Sequence, residues 1–513
     1  MSHQNLQPVA MQERIQTIDI IRGFAIFGIL VVNFTVDNPG VSPMQGRTGL
    51  IDQLVYWPIS FFMNDKFMAI FCFLFGLGFS IQMLRAESHN SPFVVVYFRR
   101  LLVLYLISIV QDIFIGPSIL EAYAMTGMLL LILYKLPRRF LPVLALLCFL
   151  IPATLSIINI KKEKQSVNNN ISVSVDNNIL DTYTGVYEGE PGRLTIITRE
   201  GGKLFFNQRR GEFPLITKSK TEFIVEGFST EFSFTKDSTG VVTGFVVHAE
   251  NGSISTRRKI QMDIQKAQKL IAEQKINRQT YKDFVVKNAK GIWNGFKNWS
   301  WREFITEDRI SGILPLFLIG LYAGRRKIFT DSGLNKQFLT RTMWWCFILG
   351  VTGITISTGF DAWNFINDIK PGSYSALIRN LVSKSWELGA MILALGYVAA
   401  LTLMVERMEW KKRLSFLIPL GRMALTNFLL QAIARTVVFE NFGFGLAGKI
   451  GPFWRLILAL LVFMILIFIS HWWFKRFRMG PVEWLWRSLT YLKFQPMRLK
   501  EADKSEIKET GNI

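Results

Sequence analysis

The sequence has few of the residues that build most catalytic and metal centres. Only three cysteines and four histidines occur in 513 residues. No cysteine has a partner at a spacing typical of a metal site. The chain also lacks a P-loop, a C-x-x-C pair, a G-x-S-x-G nucleophile elbow and an H-E-x-x-H helix. Nucleotide-driven energy coupling and standard hydrolase chemistry therefore have no support, and we expect no bound metal. The three cysteines, Cys72, Cys148 and Cys346, are expected to be apolar fillers within helices.

Acidic residues are also scarce, since 38 of them face 59 basic ones and leave a net charge of +21. Such a charge can indicate a nucleic-acid partner, but its placement argues against one. Basic residues cluster in alternate short loops, around Arg99, Arg139, Arg325 and Lys411, whereas the segment 112–120 has none. This alternation follows the positive-inside rule. It predicts that the N- and C-termini are cytoplasmic.

Long hydrophobic runs dominate the rest of the chain, and mean hydropathy is +0.27. Runs of about 18–22 residues suit a hydrocarbon core of about 30 Å, because an α-helix rises about 1.5 Å per residue. They predict an all-α polytopic bundle of about ten transmembrane helices, to within one or two. The predicted spans are 18–36, 67–84, 101–116, 119–134, 140–158, 310–324, 342–358, 386–404, 414–434 and 454–474. The amphipathic segment 50–64 is a further interfacial or re-entrant helix in this prediction.

The spans fall into two groups of five on either side of a polar insert, which predicts six regions. They are an N-terminal bundle half (1–158), a linker (159–180), a small all-β extracytoplasmic domain (181–260), an amphipathic helical connector (261–309), a C-terminal bundle half (310–474), and a cytoplasmic amphipathic helix with a tail (475–513). Long loops are translocated largely regardless of their charge, so the lysines of 159–309 agree with an extracytoplasmic position.

Alternating apolar residues broken by "EGG", "KDSTG" and "ENG" predict hairpins within 181–260. The strings "YTGVYEG", "GKLFFNQ" and "FTKDSTGVVTG" resemble the lipocalin-like β-domain appended to beta-lactamase-type serine hydrolases. The following segment, 262–305, has Ile264 and Ala267 on one helical face and then several tryptophans. Two positions remain open for it, one on the outer membrane surface and one against the β-domain.

The first span carries polar residues on one face. Arg22 and Asn33 are eleven residues apart, which puts them about 20° from alignment and about 16 Å apart along a helix. Asp19 lies one turn before Arg22 on the same face. A charge at bilayer depth costs about 2.5–3.5 kcal/mol on insertion scales, so such groups face a bundle interior, pair, or line a cavity. Two interpretations remain open, which are ordinary packing and a polar ligand chamber.

Polar residues on two other spans also allow either a packing role or a ligand-binding role. Asn427, Gln431 and Arg435 follow one another at i, i+4 and i+8 and share a helical face. They either form hydrogen bonds between packed helices or line a ligand site. Lys66 opens the second span, where it either anchors the helix at the interface by snorkelling or lines the same site.

Several motifs in order resemble the bacterial YeiB-like membrane family, which carries the domain of unknown function 418. They include "RIQTIDIIRGFAIFGILVVNF" from Arg14, "KFMAIFCFLFGLGFSIQMLR" from Lys66, "LPLFLIGLYAGRRKIF" from Leu314, "GRMALTNFLLQ" from Gly421 and "FRMGPVEWLWRSLTY" from Phe477. The resemblance covers essentially the whole chain outside the insert. It implies a multi-pass helical bundle in a bacterial plasma membrane.

The spacing of Arg22 and Asn33 also resembles the first helix of membrane acyltransferases, including the heparan glucosaminide acetyltransferase type. Those enzymes pass an acyl group from cytoplasmic acyl-CoA to an acceptor, often across the membrane. The resemblance therefore implies acyl-CoA as a cofactor. Family members usually carry a histidine where this chain has Gln111, and an aspartate where it has Ser118, so the general base is unassigned.

Two functional hypotheses follow. In the first, the protein is an acyltransferase-like enzyme with an extracytoplasmic glycan or lipid acceptor. In the second, it is a transporter or export factor for a small polar or amphipathic solute, with the same polar face as its site. The remaining alternative is that the helical bundle carries no chemistry and only tethers the β-domain to the membrane. The predicted ligand-binding residues are Asp19, Arg22, Asn33, Lys66, Gln111, Asn427 and Gln431.

Overall fold

The long apolar runs form helices, and the insert forms strands, in a computed structural model of the chain. The structure describes residues 15–36, 49–88, 93–150, 176–189, 194–208, 211–225, 230–248, 254–267, 280–297, 312–329, 335–366 and 376–499. The chain divides into two compact units. The helical unit comprises Met1–Thr154, Gln279–Trp363 and Leu381–Ile513, and the barrel unit comprises Leu155–Arg278 and Asn364–Asn380.

Hydrophobic periodicity and length account for the helices that lie before the insert. They are α1 (Gln16–Thr35), α2 (Leu50–Phe62), α3 (Lys66–Ser88), α4 (Phe93–Phe114), α5 (Leu120–Leu133) and α6 (141–150). The barrel unit adds α7 (Asn177–Tyr183). The later helices are α8 (Tyr281–Lys297), α9 (Leu314–Arg325), α10 (Lys336–Ile366), α11 (Ala376–Glu406), α12 (Met408–Leu414), α13 (Leu417–Arg422), α14 (Ala424–Phe439), α15 (Pro452–Phe474) and α16 (Pro481–Tyr491).

Six candidate spans in the described residues are long and apolar enough to cross a bilayer, which makes the chain a membrane protein. They are Gln16–Thr35, Leu50–Ser88, Phe93–Phe114, Lys336–Asn364, Leu381–Glu406 and Pro452–Phe474. Helices α5, α9 and α14 are apolar but shorter. The predicted count of about ten spans is therefore not confirmed. Part of the fifth predicted span, 151–158, lies outside the described residues, and the orientation of the termini stays a prediction.

The predicted span 414–434 is interrupted. Helix α13 ends at Arg422, Met423 has φ −117° and ψ 45°, and α14 begins at Ala424. Pro419 lies in the first turn of α13, where a proline is tolerated because that N–H has no partner within the helix. The break leaves a helix N-terminus, with its unsatisfied N–H groups, inside the helical unit.

The direction of the helices defines two ends of the helical unit. At the Arg22 end, α1 and α14 begin, while α3 and α15 end. At the Asn33 end, α1, α4 and α14 end, while α3 and α15 begin. Contacts fix these directions. Phe34, near the end of α1, meets Phe439 at the end of α14, at 5.3 Å between ring centroids. Asn427, near the start of α14, donates to Ser470 near the end of α15, and Phe27 of α1 meets Phe463 of α15 at 4.8 Å.

Small residues bring α3 and α9 into backbone contact. A Cβ added to Gly76 of α3 would meet the backbone of Phe317, and one added to Gly320 of α9 would meet the backbone around Phe73 and Leu77. Gly76 and Gly320 thus allow the close approach that small residues give to helices packed in membranes. The two helices run parallel and form the centre of the largest apolar cluster.

The insert folds as a closed eight-stranded antiparallel barrel in the order β1 to β8, so the predicted small β-domain is confirmed. The strands are β1 (Gly185–Glu188), β2 (Leu194–Glu200), β3 (Lys203–Gln208), β4 (Gly211–Thr217), β5 (Glu222–Val225), β6 (Glu231–Lys236), β7 (Val242–His248) and β8 (Ile254–Ile260). The β1–β8 pairing, with Val186 opposite Ile260, closes the barrel. Closure removes the exposed edges that an open sheet would present.

Aromatic side chains fill the barrel interior. Tyr187 and Phe245 pack at 4.9 Å between centroids, and Phe232 stacks on Phe245 at 5.0 Å. The hydroxyl of Tyr187 donates to the carbonyl of Tyr183 at 2.7 Å. The interior is thus a packed core. The resemblance to the lipocalin-like domain stays a prediction.

The connector after the barrel divides between the two units. Ile264 and Ala267 pack on the barrel with Val186, and Ala267 is fully buried. Farther on, Tyr281 of α8 donates its hydroxyl to the carbonyl of Phe114 in α4 at 3.0 Å. The face of α8 that carries Trp293 stays exposed. The segments 268–279 and 298–311 of the predicted connector lie outside the described residues.

Candidate functional site

Asp19 and Arg22 form an ion pair at the start of α1. Arg22 Nη1 donates to Asp19 Oδ1 at 3.2 Å. Asp19 is buried, whereas the Arg22 side chain keeps 33% of its exposure. The backbone of Asp19 packs tightly against Gly421 of α13. Asp19 is therefore fixed by α13, and the cation of Arg22 retains an accessible side at this end.

Asn33 lies at the other end of the same helical face. Its side chain is half-buried, and among the described residues its amide has no hydrogen-bond partner. The neighbouring Thr35 differs, since its hydroxyl donates to the carbonyl of Val31 at 2.6 Å. Asn33 thus holds an unused donor and an unused acceptor.

Gln431 joins α14 to α1 between those two ends. Its Nε2 donates to the carbonyl of Ile26 at 3.0 Å, and Ile26 lies one turn after Arg22. The side chain is buried, and its Oε1 has no partner among the described residues. An unpartnered buried amide oxygen costs about 1–3 kcal/mol. The structure therefore places an unused acceptor beside the α1 face, midway along it.

Asn427, one turn earlier on α14, has both halves of its amide satisfied. Its Nδ2 donates to the carbonyl of Leu420 and to Ser470 Oγ, each at 3.1 Å. Ser470 Oγ lies 3.4 Å from Asn427 Oδ1. These bonds join α13, α14 and α15. Asn427 acts here as a packing residue, which was one of its two predicted roles.

Gln111 is buried in α4 at the same level as Gln431. Its Oε1 has no partner within the described part of the chain. The hydroxyl of Thr436 donates to the carbonyl of Ile115 at 2.6 Å and ties α14 to α4. Gln111 lies about 6 Å and Gln431 about 7.5 Å along their helices from that contact, at 1.5 Å per residue. The side-chain amides of Gln111 and Gln431, whose oxygens are both unused, thus lie at about the same depth along the helical unit.

Lys66 belongs to a separate cluster at the Asn33 end. It is fully buried, and its Nζ lies 4.1 Å from the ring centroid of Trp386 in α11. It also donates to the carbonyl of Ser60 at 3.4 Å. Trp386 in turn donates its indole N–H to Asp65 Oδ2 at 2.8 Å. A cation–π contact of this kind stabilises a desolvated ammonium group. The cluster joins α2, α3 and α11.

The structure therefore brings Asp19, Arg22, Gln431 and Asn33 along one face of α1, with Gln111 at the depth of Gln431. Asn427 and Lys66 make other contacts. Sequence reasoning missed two buried charged groups, Arg455 and Glu483. Arg455 had a signal, because it is a lone arginine at the start of an apolar run, as Arg22 is. Glu483 had none beyond its place in a tryptophan-rich helix.

Glu483 of α16 caps the interrupted helix. Its Oε1 accepts from the backbone N–H groups of Leu425 at 2.7 Å and Thr426 at 3.1 Å, and Oε2 accepts from the Thr426 hydroxyl at 2.5 Å. Burial raises the pKa of the Glu483 carboxyl above its usual value, and these hydrogen bonds oppose the rise. A carboxylate here stabilises the N-terminus of α14, which carries Gln431.

The two halves of the bundle match two different family models. The model described as "Protein of unknown function (DUF418)" matches residues 323–493. The model described as "Heparan-alpha-glucosaminide N-acetyltransferase, catalytic" matches residues 14–175. The resemblance to the YeiB-like family is confirmed. Five of the predicted site residues lie within the acetyltransferase match. They are Asp19, Arg22, Asn33, Lys66 and Gln111.

Two relatives match nearly the whole chain, and a third matches a part of it. "Uncharacterized protein YxaH" of Bacillus subtilis is 26% identical over 509 residues, covering 97% of this chain and 99% of the relative. "Uncharacterized 39.9 kDa protein in amylase 3'region" of Bacillus acidopullulyticus is 23% identical over 511 residues, covering 97% and 100%. "Uncharacterized protein YeiB" of Escherichia coli is 36% identical over 111 residues, 20% of this chain and 26% of that one. No solved structure matches.

Proposed function

We propose that this acyltransferase-like membrane protein transfers an acyl group from acyl-CoA to an acceptor that approaches from the Asn33 end. The observation that carries the proposal is a set of unused amide groups, two of them at the α1 face and one on α4 at the depth of Gln431. Within the described residues, the buried side-chain oxygens of Gln431 and Gln111 have no partner, and the half-buried amide of Asn33, nearer the end of α1, has none either. Polar groups in a bilayer normally pair or serve a function.

In this proposal Arg22 attracts the phosphates of acyl-CoA. Its guanidinium is partly exposed and is held by Asp19 at 3.2 Å, so it is oriented for an anion. An arginine presents its N–H groups in a rigid fork that matches phosphate oxygens. The predicted cytoplasmic side of this end, where acyl-CoA is found, agrees with that role.

The amide of Gln111 is assigned to the reacting carbonyl. A glutamine cannot take a proton at neutral pH, but its N–H can stabilise the oxygen of a tetrahedral intermediate. The acceptor hydroxyl or amine bonds to the acyl carbon, and the thioester C–S bond breaks. The acceptor's proton passes to the sulfur, and CoA leaves as the free thiol. We assign no residue as the general base.

The acceptor class in this proposal is a glycan or lipid with a free hydroxyl or amine. The family model that matches residues 14–175 is named for transfer to a glucosaminide, which supports a sugar acceptor. Transport of a polar solute is the weaker candidate. Discontinuous helices bind substrates through their exposed N-termini in transporters, whereas the N-terminus of α14 is already occupied by Glu483.

Binding of acyl-CoA to the purified full-length protein tests the proposal. We expect saturable binding of labelled acetyl-CoA or palmitoyl-CoA, and Arg22→Ala should weaken it at least about tenfold, which is about 1.4 kcal/mol. Because Arg22→Ala leaves Asp19 unpaired, the double variant Asp19→Ala/Arg22→Ala is measured in parallel and should show the same loss. The matched control is Arg139→Ala, which removes an exposed arginine after α5 and should change the Kd less than about twofold. Absence of saturable binding, or equal affinity in all variants, rejects the proposal.

A further inference from the structure

Arg455 is a fully buried arginine near the start of α15. It has no solvent exposure, and its Nε donates to the carbonyl of Ile450 at 3.0 Å. Among the described residues, its terminal nitrogens, Nη1 and Nη2, have no hydrogen-bond partner. No carboxylate of those residues lies within 4 Å of the guanidinium. Four N–H bonds therefore lack an acceptor in the part of the chain that the structure describes.

Such an arrangement is costly without a ligand. The guanidinium stays protonated at all physiological pH values. Removing a charge from water costs several kcal/mol even after relaxation, and an unpaired one is strongly destabilising. The position adds to the cost, because a cation in the first turns of a helix opposes the helix dipole. Buried charges in native proteins are paired or bind ions.

The nearest acid is already engaged. Asp52 of α2 accepts from the backbone N–H of Phe453 at 3.0 Å, and so caps the start of α15. Its carboxylate attracts Arg455 at longer range, but it supplies no acceptor to Nη1 or Nη2. The Asp52 carboxylate is thus used by the backbone N–H at the start of α15, and it does not bond to the terminal nitrogens of Arg455.

The neighbouring residues cover one face and the Nε side of the Arg455 guanidinium, so only its end remains to bind a ligand. Its central carbon lies 5.3 Å from the ring centroid of Phe439, which supports one face of the cation. Ile450 occupies Nε, so the fork formed by Nη1 and Nη2 remains. That fork matches the two oxygens of a carboxylate or phosphate group. Phe27 meets Phe463, and Arg455 lies about 12 Å from Phe463 toward the start of α15. Arg455 is therefore at the level of Thr35, beside the Asn33 end.

We propose that Arg455 is the anchor of an oxyanion site at the Asn33 end, which binds a phosphate group through Nη1 and Nη2. The phosphate comes from a lipid headgroup or from a free phosphate-bearing solute. This site is separate from the Arg22 end, where acyl-CoA is proposed to bind. The inference stands without acyl transfer, because its test measures binding alone.

The test is the thermal stability of the full-length protein in phosphate-free maltoside micelles. Inorganic phosphate and dihexanoylphosphatidylglycerol are added separately, with sodium chloride at matched ionic strength as the blank. We expect a saturable rise in Tm of a few degrees with at least one probe. A rise with phosphate alone identifies a free anion as the source, and a rise with the lipid alone identifies a headgroup.

The variants are Arg455→Met, Arg455→Lys and the exposed control Arg139→Met. Arg455→Met should lose the rise and, without phosphate, melt no lower than the wild type, because it removes a buried unpaired charge. Arg455→Lys should keep a reduced rise with a weaker Kd, and it serves as the readout if the methionine variant does not fold. Arg139→Met should respond as the wild type does. The proposal is overturned if neither probe raises the wild-type Tm, or if the rise persists unchanged in the Arg455 variants.

Discussion

Replacing Gly320 by leucine is expected to prevent the helical unit from folding. A Cβ at this position would lie 2.8 Å from the backbone nitrogen of Leu77 and closer still to the carbonyl of Phe73. Backbone atoms of a packed helix cannot yield as a flexible side chain can. Separating α3 from α9 would open the centre of the main apolar cluster. We expect a loss above about 4–5 kcal/mol, which is a large part of a typical protein's stability.

Fluorescence-detected size-exclusion chromatography of a fluorescent fusion measures this effect directly. The wild type should give a single symmetric peak, and Gly320→Leu should give aggregate or no protein. Gly359→Leu is the matched control, because nothing lies within 4 Å of a Cβ added to Gly359 in α10. A normal peak from Gly320→Leu would show that α3 and α9 do not meet along their backbones.

Replacing Glu483 by alanine is expected to give the second-largest loss. The change removes the acceptor of two backbone N–H groups and one hydroxyl at the start of α14. Loss of a helix N-cap costs about 0.5–2 kcal/mol, and unsatisfied buried donors add about 1–3 kcal/mol each. A total of about 3 kcal/mol lowers the Tm by several degrees and loosens Gln431 and its contact with α1.

The measurement is thermal unfolding of the purified variants in one detergent. Glu483→Gln should lose less than Glu483→Ala, because its carbonyl oxygen still accepts from one or two donors. Glu409→Ala, an exposed acid in the first turn of α12, is the control and should shift stability by less than about 0.5 kcal/mol. Equal melting of Glu483→Ala and Glu409→Ala would mean that the carboxylate does not cap α14.

The sequence predicts an element well where the signal is local. Apolar runs locate α1, α3 and α15, and alternation with hairpin turns predicts the barrel strands. The interruption at Met423 escapes this reasoning because Glu483, some sixty residues later, stabilises it. Because α13 and α14 are both apolar, hydropathy averaged along the sequence shows them as a single span. Tertiary hydrogen bonds decide where the helix breaks.

The same limit applies to the site. The Asp19–Arg22 pair could be predicted, because residues three apart on a helix are neighbours. The contact of Gln431 with Ile26 joins residues 405 positions apart, and no local pattern contains it. Asn427 and Gln431 look alike in sequence, yet Asn427 bonds to Ser470, whereas the side-chain oxygen of Gln431 has no partner among the described residues. Their different environments come entirely from the neighbouring helices.

Water access to the polar face of α1 is the most direct test of the whole account. Single cysteines replace Asn33 and Gln111 in a background without Cys72, Cys148 and Cys346, and a charged, water-soluble thiol reagent is added. Ile132→Cys is the control, because Ile132 is 77% exposed on the apolar helix α5. We predict that the Asn33 and Gln111 cysteines react at least about tenfold faster than the Ile132 cysteine, since only the thiolate in water reacts, and that acyl-CoA slows them. Rates at Asn33 and Gln111 no higher than at Ile132 would contradict a ligand path along α1.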